Sequence, residues 1–181
     1  MTAAAEIVAD YGPLAGLVGV TATLAVNGYR DERQRRRDNH GRAIEAVVAY
    51  SEMPYRIRRR RNEPEHASSE RARLSDAFSE IQAELASCQA MIRADPDPYV
   101  RAAYGRLVTS LRQNAGRLAR DAWGIEPVAG DADMNLPDVN EKLAPVRAEQ
   151  TRCEAMMASS IRVWTCTNRS FRPSSGALRG S

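Results

Sequence analysis

Five guanidiniums fall within six residues of the run YRIRRRR (55–61): Arg56, Arg58, Arg59, Arg60 and Arg61. A block of this kind suits anionic lipid head groups, at about 1 kcal/mol per basic residue near the surface, nucleic-acid phosphates, or an acidic protein partner. Its ordinary fate is a solvated helix end paired with acids such as Glu63, Glu65 or those of residues 126–133. A second cluster, Arg30, Arg33, Arg35, Arg36 and Arg37, follows directly on an uncharged stretch. Distance separates the two: from Arg30 to Arg58 a straight helix rises roughly 42 Å, against a Debye length of about 8 Å. Lipid contact by the distal block therefore requires a bend at Gly41 or Pro54, or a helix lying flat.

Groups suited to catalysis are sparse. The chain has two histidines, His40 and His66, and neither belongs to a HExxH or a Cys/His metal pattern. Glu63 and His66 form one Glu-x-x-His, a motif that di-iron bundles use twice; here it occurs once, across Pro64, and reads as two solvated residues at a helix start. There is no GxxxxGK[ST], GxGxxG or GxSxG. Asp76, Glu80 and Glu84 make an acidic ladder at helical spacing, opposite an apolar seam and therefore in water. The expectation is a protein that is not an enzyme, with no metal and no cofactor.

These groups must be positioned by helices, and the first of them is apolar. Tyr11 to Tyr29 (YGPLAGLVGVTATLAVNGY) carries no charge, and Asp10 and Arg30 bound it. As a helix it is about 28 Å long, close to the thickness of a hydrocarbon core. It reads as a single-pass anchor; the competing reading is a mildly apolar core helix of a soluble bundle. A cleaved signal is disfavoured because Glu6 and Asp10 precede the stretch and the arginines follow it. By the positive-inside rule, the N-terminus (1–10) lies outside and the body lies in the cytoplasm of a bacterial inner membrane. Gly12, Gly16 and Gly19 offer a small-residue stripe on which two spans could pack as a homo-oligomer.

The totals agree with one anchor and one domain. At 181 residues, with 27% charged and 43% hydrophobic residues, the chain has room for a single ordinary core. Residues 30–61 hold eleven arginines against five acids, so the net charge of +3 and the basic pI arise in the membrane-proximal segment. That distribution makes nucleic acid an unlikely partner for the domain as a whole. Cys88, Cys153 and Cys166 have no disulfide spacing and suit a reducing compartment; Cys88 reads as a small core hydrophobe.

Along the body, Ala43, Ile44, Val47, Val48 and Ser51 predict a helix that Pro54 kinks or ends. Leu74, Phe78, Ile81, Leu85, Cys88 and Ile92 alternate steps of four and three, a heptad seam within a helix from about Glu65 to Ala94. Asp97 and Pro98 predict an N-cap and first position for a third helix carrying Val100, Tyr104, Leu107, Leu111, Asn114 and Leu118. That helix ends near Trp123 with Gly124 as its cap, and Asn114 is expected at the edge of the seam. After an acidic connection (125–136), a last helix starts between Pro137 and Pro145 and continues through Val146, Cys153, Met157, Ser160 or Ile161, and Trp164. Residues 168–181 read as a basic tail.

The predicted fold is all-α: a transmembrane helix at 11–29, a cytosolic antiparallel bundle of about four helices at 30–167, and the tail. The predicted function is a membrane-anchored, non-enzymatic interaction or scaffold protein. Lipid is contacted through the anchor and a protein partner through an exposed heptad face or the Arg56–Arg61 block. The alternative is a phage or host-defence effector that disturbs the bilayer by assembling through its span.

Overall fold

The computed structural model describes the backbone of residues 3–61, 63–128 and 136–169, and side chains at 27–61, 63–128 and 136–162. Among the described residues the chain is helical, with no strand. The helices are α1 (Ala3–Ser51), α2 (Met53–Arg58), α3 (Ala67–Arg93), α4 (Pro98–Trp123), α5 (Pro137–Lys142) and α6 (Ala144–Arg169). The chain divides into two compact units, Met1–Asp38 and Asn39–Ser181.

In the first unit the basic cluster lies on helix. Arg35 pairs with Glu32 at 3.2 Å and Gln34 donates to Asp38 at 2.8 Å, both local contacts in solvent. Among the described residues no helix is long and apolar enough to cross a membrane. The side chains of residues 11–26 fall outside the described set, and so does the packing expected of Gly12, Gly16 and Gly19. The anchor expected at 11–29 thus gains no support from the structure.

The second unit is a helical bundle. Arg42 meets Glu84 and Tyr50 meets Phe78, so the end of α1 runs against α3. Arg112 meets Gln89, so α3 runs against α4. Arg106 lies by Glu149, so α4 packs against α6, and Asp121 shares a groove with Asp138 of α5. Helix α4 is central because one broad face of it is apolar: Val100, Ala103, Tyr104, Leu107, Val108, Leu111, Ala115, Ala119 and Ala122 are all buried. The four alanines let neighbouring backbones approach, and the larger residues fill the layers between.

Local signals hold where they were read. The α3 seam buries Leu74, Leu85, Cys88 and Ile92, with Phe78 and Ile81 half-buried against the core. Asp97 caps α4 by accepting from the Tyr99 N–H at 2.8 Å, and Pro98 takes the first position. Gly124 follows the last turn, though in right-handed conformation with φ −84°, its N–H donating to the Asp121 carbonyl. Asn114 sits at the edge, half-buried, and its amide donates to the Ser110 carbonyl of its own helix at 2.8 Å.

Two readings need correction. On α1 the buried stripe is Ala43, Ala46, Val47 and Tyr50, while Val48 is 43% exposed. The Tyr50 ring packs on Phe78 with centroids 5.1 Å apart; burying an aromatic ring outweighs burying a valine and turns the helix accordingly. The helix also runs through Gly41 and breaks only at Glu52, before Pro54. The last helix is two pieces, with a break at Leu143. Pro145 fits in the first turn of α6 because that turn's N–H groups have no intrahelical partner anyway. Residues 129–135 and the tail beyond Arg169 lie outside the described residues.

Candidate functional site

Helix α2 leaves its last carbonyls without intrahelical partners, as does α4, and one arginine serves both ends. Arg60 Nη1 donates to the Ile57 carbonyl at 2.9 Å and the Ala122 carbonyl at 3.1 Å, and Nη2 donates to the Ile125 carbonyl at 2.8 Å. Its guanidinium also lies over the Trp123 ring, 5.7 Å from the centroid, and that of Arg71 lies 5.6 Å from the same ring. Burial, with Arg71 and Arg58 nearby, lowers the Arg60 pKa from its ordinary value. A second tie joins the segments, from the Val128 N–H to the Arg58 carbonyl at 2.9 Å.

The block is therefore divided. Arg60 is a clamp, not a free contact. Arg58 is half-buried, its Nε enclosed without a hydrogen-bond partner. Arg56, Arg59 and Arg61 are exposed, and Arg59 lies 5.5 Å over the Tyr55 ring. In the cluster at residues 30–37, Arg30, Arg35 and Arg37 are exposed, Arg33 is half-buried and Arg36 is buried, so that set does not present five guanidiniums to solvent.

Beside the clamp, α3 and α4 part over a groove of about 570 Å³ that includes Tyr50, Gln82, Arg112, Gly116, Arg120 and Trp123 in its lining. Gly116 lets the Tyr50 hydroxyl pack close against α4. A Cβ there would stand 3.1 Å from the Tyr50 hydroxyl oxygen, tighter than almost all real contacts.

The other chemical groups resolve into structural roles. His40 and Asp95 meet inside the bundle, Nε2 to Oδ2 at 2.9 Å, each side chain 6% exposed. The second oxygen of Asp95 accepts the Asp97 N–H at 2.8 Å, tying the α3–α4 turn to α1. His40 Nδ1 is enclosed with no partner. Burial raises the Cys88 and Cys153 thiols to about 11 each, which makes them poor nucleophiles. Glu63 and His66 stand 3.9 Å apart at the surface. Of the acidic ladder, Glu84 is bridged by Arg42, whose hydrogen bond lowers the carboxyl pKa below its ordinary value. Among the described residues no group of three or more His, Cys, Asp or Glu could hold a metal ion.

Sequence reasoning found the arginine block but not the division within it, and it missed the groove and the His40–Asp95 pair. Arg112, Gly116, Arg120 and Trp123 share a face by their spacing of four, four and three, which was the available signal; Tyr50 and Phe78 come from other helices and left none. Comparison with protein-family models, with curated proteins and with solved structures returns no match for this chain.

Proposed function

We propose that this chain is a membrane-anchored, non-enzymatic interaction protein. Residues 11–29 hold it in a bacterial inner membrane with the N-terminus outside, and the bundle presents its α2 end to an acidic protein partner at the cytoplasmic face. The observation that carries the reading is the Arg60 clamp: with its backbone tied to the end of α4, the segment 56–61 projects Arg56, Arg59 and Arg61 from a fixed scaffold. Ordering such a segment in advance lowers the entropy cost of capture, which a floppy arginine tail would meet in full.

The test is chemical cross-linking in intact membranes, followed by alkaline-carbonate extraction. The full chain resists extraction and captures one dominant partner. Reversing Arg56, Arg59 and Arg61 to glutamate abolishes capture, and replacing residues 11–29 with an unrelated single-pass anchor preserves it. Extraction of the full chain by carbonate would remove the anchor from this reading, and undiminished capture by the reversed variant would remove the interface. Loss of membrane potential that depends on the native span would favour the bilayer-disturbing effector instead.

A further inference from the structure

The groove between α3 and α4 carries an inference beyond partner capture, since its lining is that of a small-molecule site. On α4, Arg112 and Arg120 flank Gly116, with four residues to either side, so their Cα atoms are roughly 12 Å apart along one face. Arg112 is held in place across the groove: its Nη2 donates to Gln89 Oε1 on α3 at 2.9 Å. Beneath Gly116 lies the Tyr50 hydroxyl. Tyr50 is 5% exposed and lines the groove, its hydroxyl oxygen 3.1 Å from where a Cβ at position 116 would stand. Its O–H can donate to a group held in the groove.

The polar groups agree in sign. Two guanidiniums, a hydroxyl and the Gln82 amide converge, and no carboxylate lines the groove. The remaining walls are apolar, with Phe78 on α3 and Trp123 at the end toward the clamp. From Arg112 to Trp123 the groove extends about 16 Å, and its volume lies within the range of small-molecule pockets.

We propose that this groove binds a small organic anion, a phosphate or carboxylate head carried on an aromatic body of one or two rings. The head sits over Gly116, between Arg112 and Arg120 and against the Tyr50 hydroxyl, and the rings lie along Phe78 toward Trp123.

The test is calorimetric titration of the purified full chain in detergent with 1-naphthyl phosphate, 1-naphthalenemethanol and inorganic phosphate. The naphthyl phosphate saturates a single site, and the uncharged alcohol and inorganic phosphate each bind at least about tenfold more weakly, since each supplies one half of the complement. Arg120→Gln and Tyr50→Phe each weaken the naphthyl phosphate by about tenfold, the ordinary consequence of losing one hydrogen bond to a charged head. Arg117→Gln, in a different groove of α4, leaves affinity unchanged. Arg120 is exposed, so its variant folds and reads the site directly. No saturation by about 5 mM, a millimolar limit that corresponds to negligible complementarity, overturns the proposal. So does equal binding of the alcohol, or full affinity in Arg120→Gln and Tyr50→Phe. None of these outcomes bears on cross-linking through Arg56, Arg59 and Arg61, so the two readings fail separately.

Discussion

Replacing Arg60 with methionine keeps most of the aliphatic stem and removes the guanidinium, and with it three hydrogen bonds to carbonyls, at 2.8, 2.9 and 3.1 Å. A charge-assisted hydrogen bond contributes about 1.5–3 kcal/mol when well buried. Arg60 is only half-buried, and the Ile57 and Ala122 carbonyls retain long backbone contacts at 3.4 Å. Water reaches part of what is uncovered, so each contact is discounted to under about 1 kcal/mol, and the lost contact with Trp123 adds about 0.5 kcal/mol. The expected destabilisation is about 2–3 kcal/mol, which for a chain of this size lowers Tm by roughly 4–10 °C. Thermal denaturation followed by far-ultraviolet circular dichroism measures it, with Arg56→Met as the exposed control. Hydrogen exchange at the Val128 amide adds a local reading, because that N–H donates to the Arg58 carbonyl in the clamped segment. Its protection falls in Arg60→Met and not in the control. Cross-linked capture of the partner falls as well, although Arg56, Arg59 and Arg61 all remain. If Arg60→Met costs no more than Arg56→Met and the Val128 amide stays protected, the clamp does not order the segment, and the argument from a fixed scaffold fails.

Other predictions follow from the core. His40 and Asp95 are coupled, so a double-mutant cycle with His40→Ala and Asp95→Ala yields an interaction energy of about 1–3 kcal/mol; Asp95→Asn is milder, since its amide can donate to Nε2 while its oxygen still accepts the Asp97 N–H. A coupling near zero in urea denaturation would show that the pair contributes only packing. Cys88 and Cys153 sit at about 11 against an ordinary 9.0. An acid with a raised folded pKa binds its proton more tightly when folded, so its stabilisation is complete below pH 9 and is lost as pH rises toward 11. The loss reaches at most about 3 kcal/mol per thiol, and Cys88→Ala with Cys153→Ala flattens this alkaline limb in unfolding measured from pH 8 to 11. Asp97→Ala removes the bond to the Tyr99 N–H and costs about 1 kcal/mol, whereas Asp97→Asn costs little; equal losses in chemical denaturation would place the effect elsewhere in the turn.

The parts of the fold legible beforehand were those whose cause is local. The four-and-three rhythm of Leu74 to Ile92 defines one helix face whatever packs on it. Asp97 and Pro98 cap a helix with their own side chain and ring, and Pro54 interrupts one for lack of an N–H. The face of α1 was not legible, because Val48 and Tyr50 compete for the core and only the presence of Phe78 on another helix settles which enters. The division of the arginine block was equally hidden: Arg58 to Arg61 are alike in the chain, and Arg60 differs only because the Ala122 and Ile125 carbonyls, more than sixty residues away, come within its reach.

Composition and periodicity alone determined that this chain is helical, where α3 and α4 begin and end, and that its positive charge gathers in residues 30–61. Those properties depend on backbone geometry and on groups within one or two turns. Tertiary packing decided which arginine clamps the end of α4, that His40 and Asp95 share a buried hydrogen bond, and that the Tyr50 hydroxyl packs against Gly116. Each of these joins groups from different helices, and only the bundle brings them within the 3 Å or so over which a hydrogen bond acts.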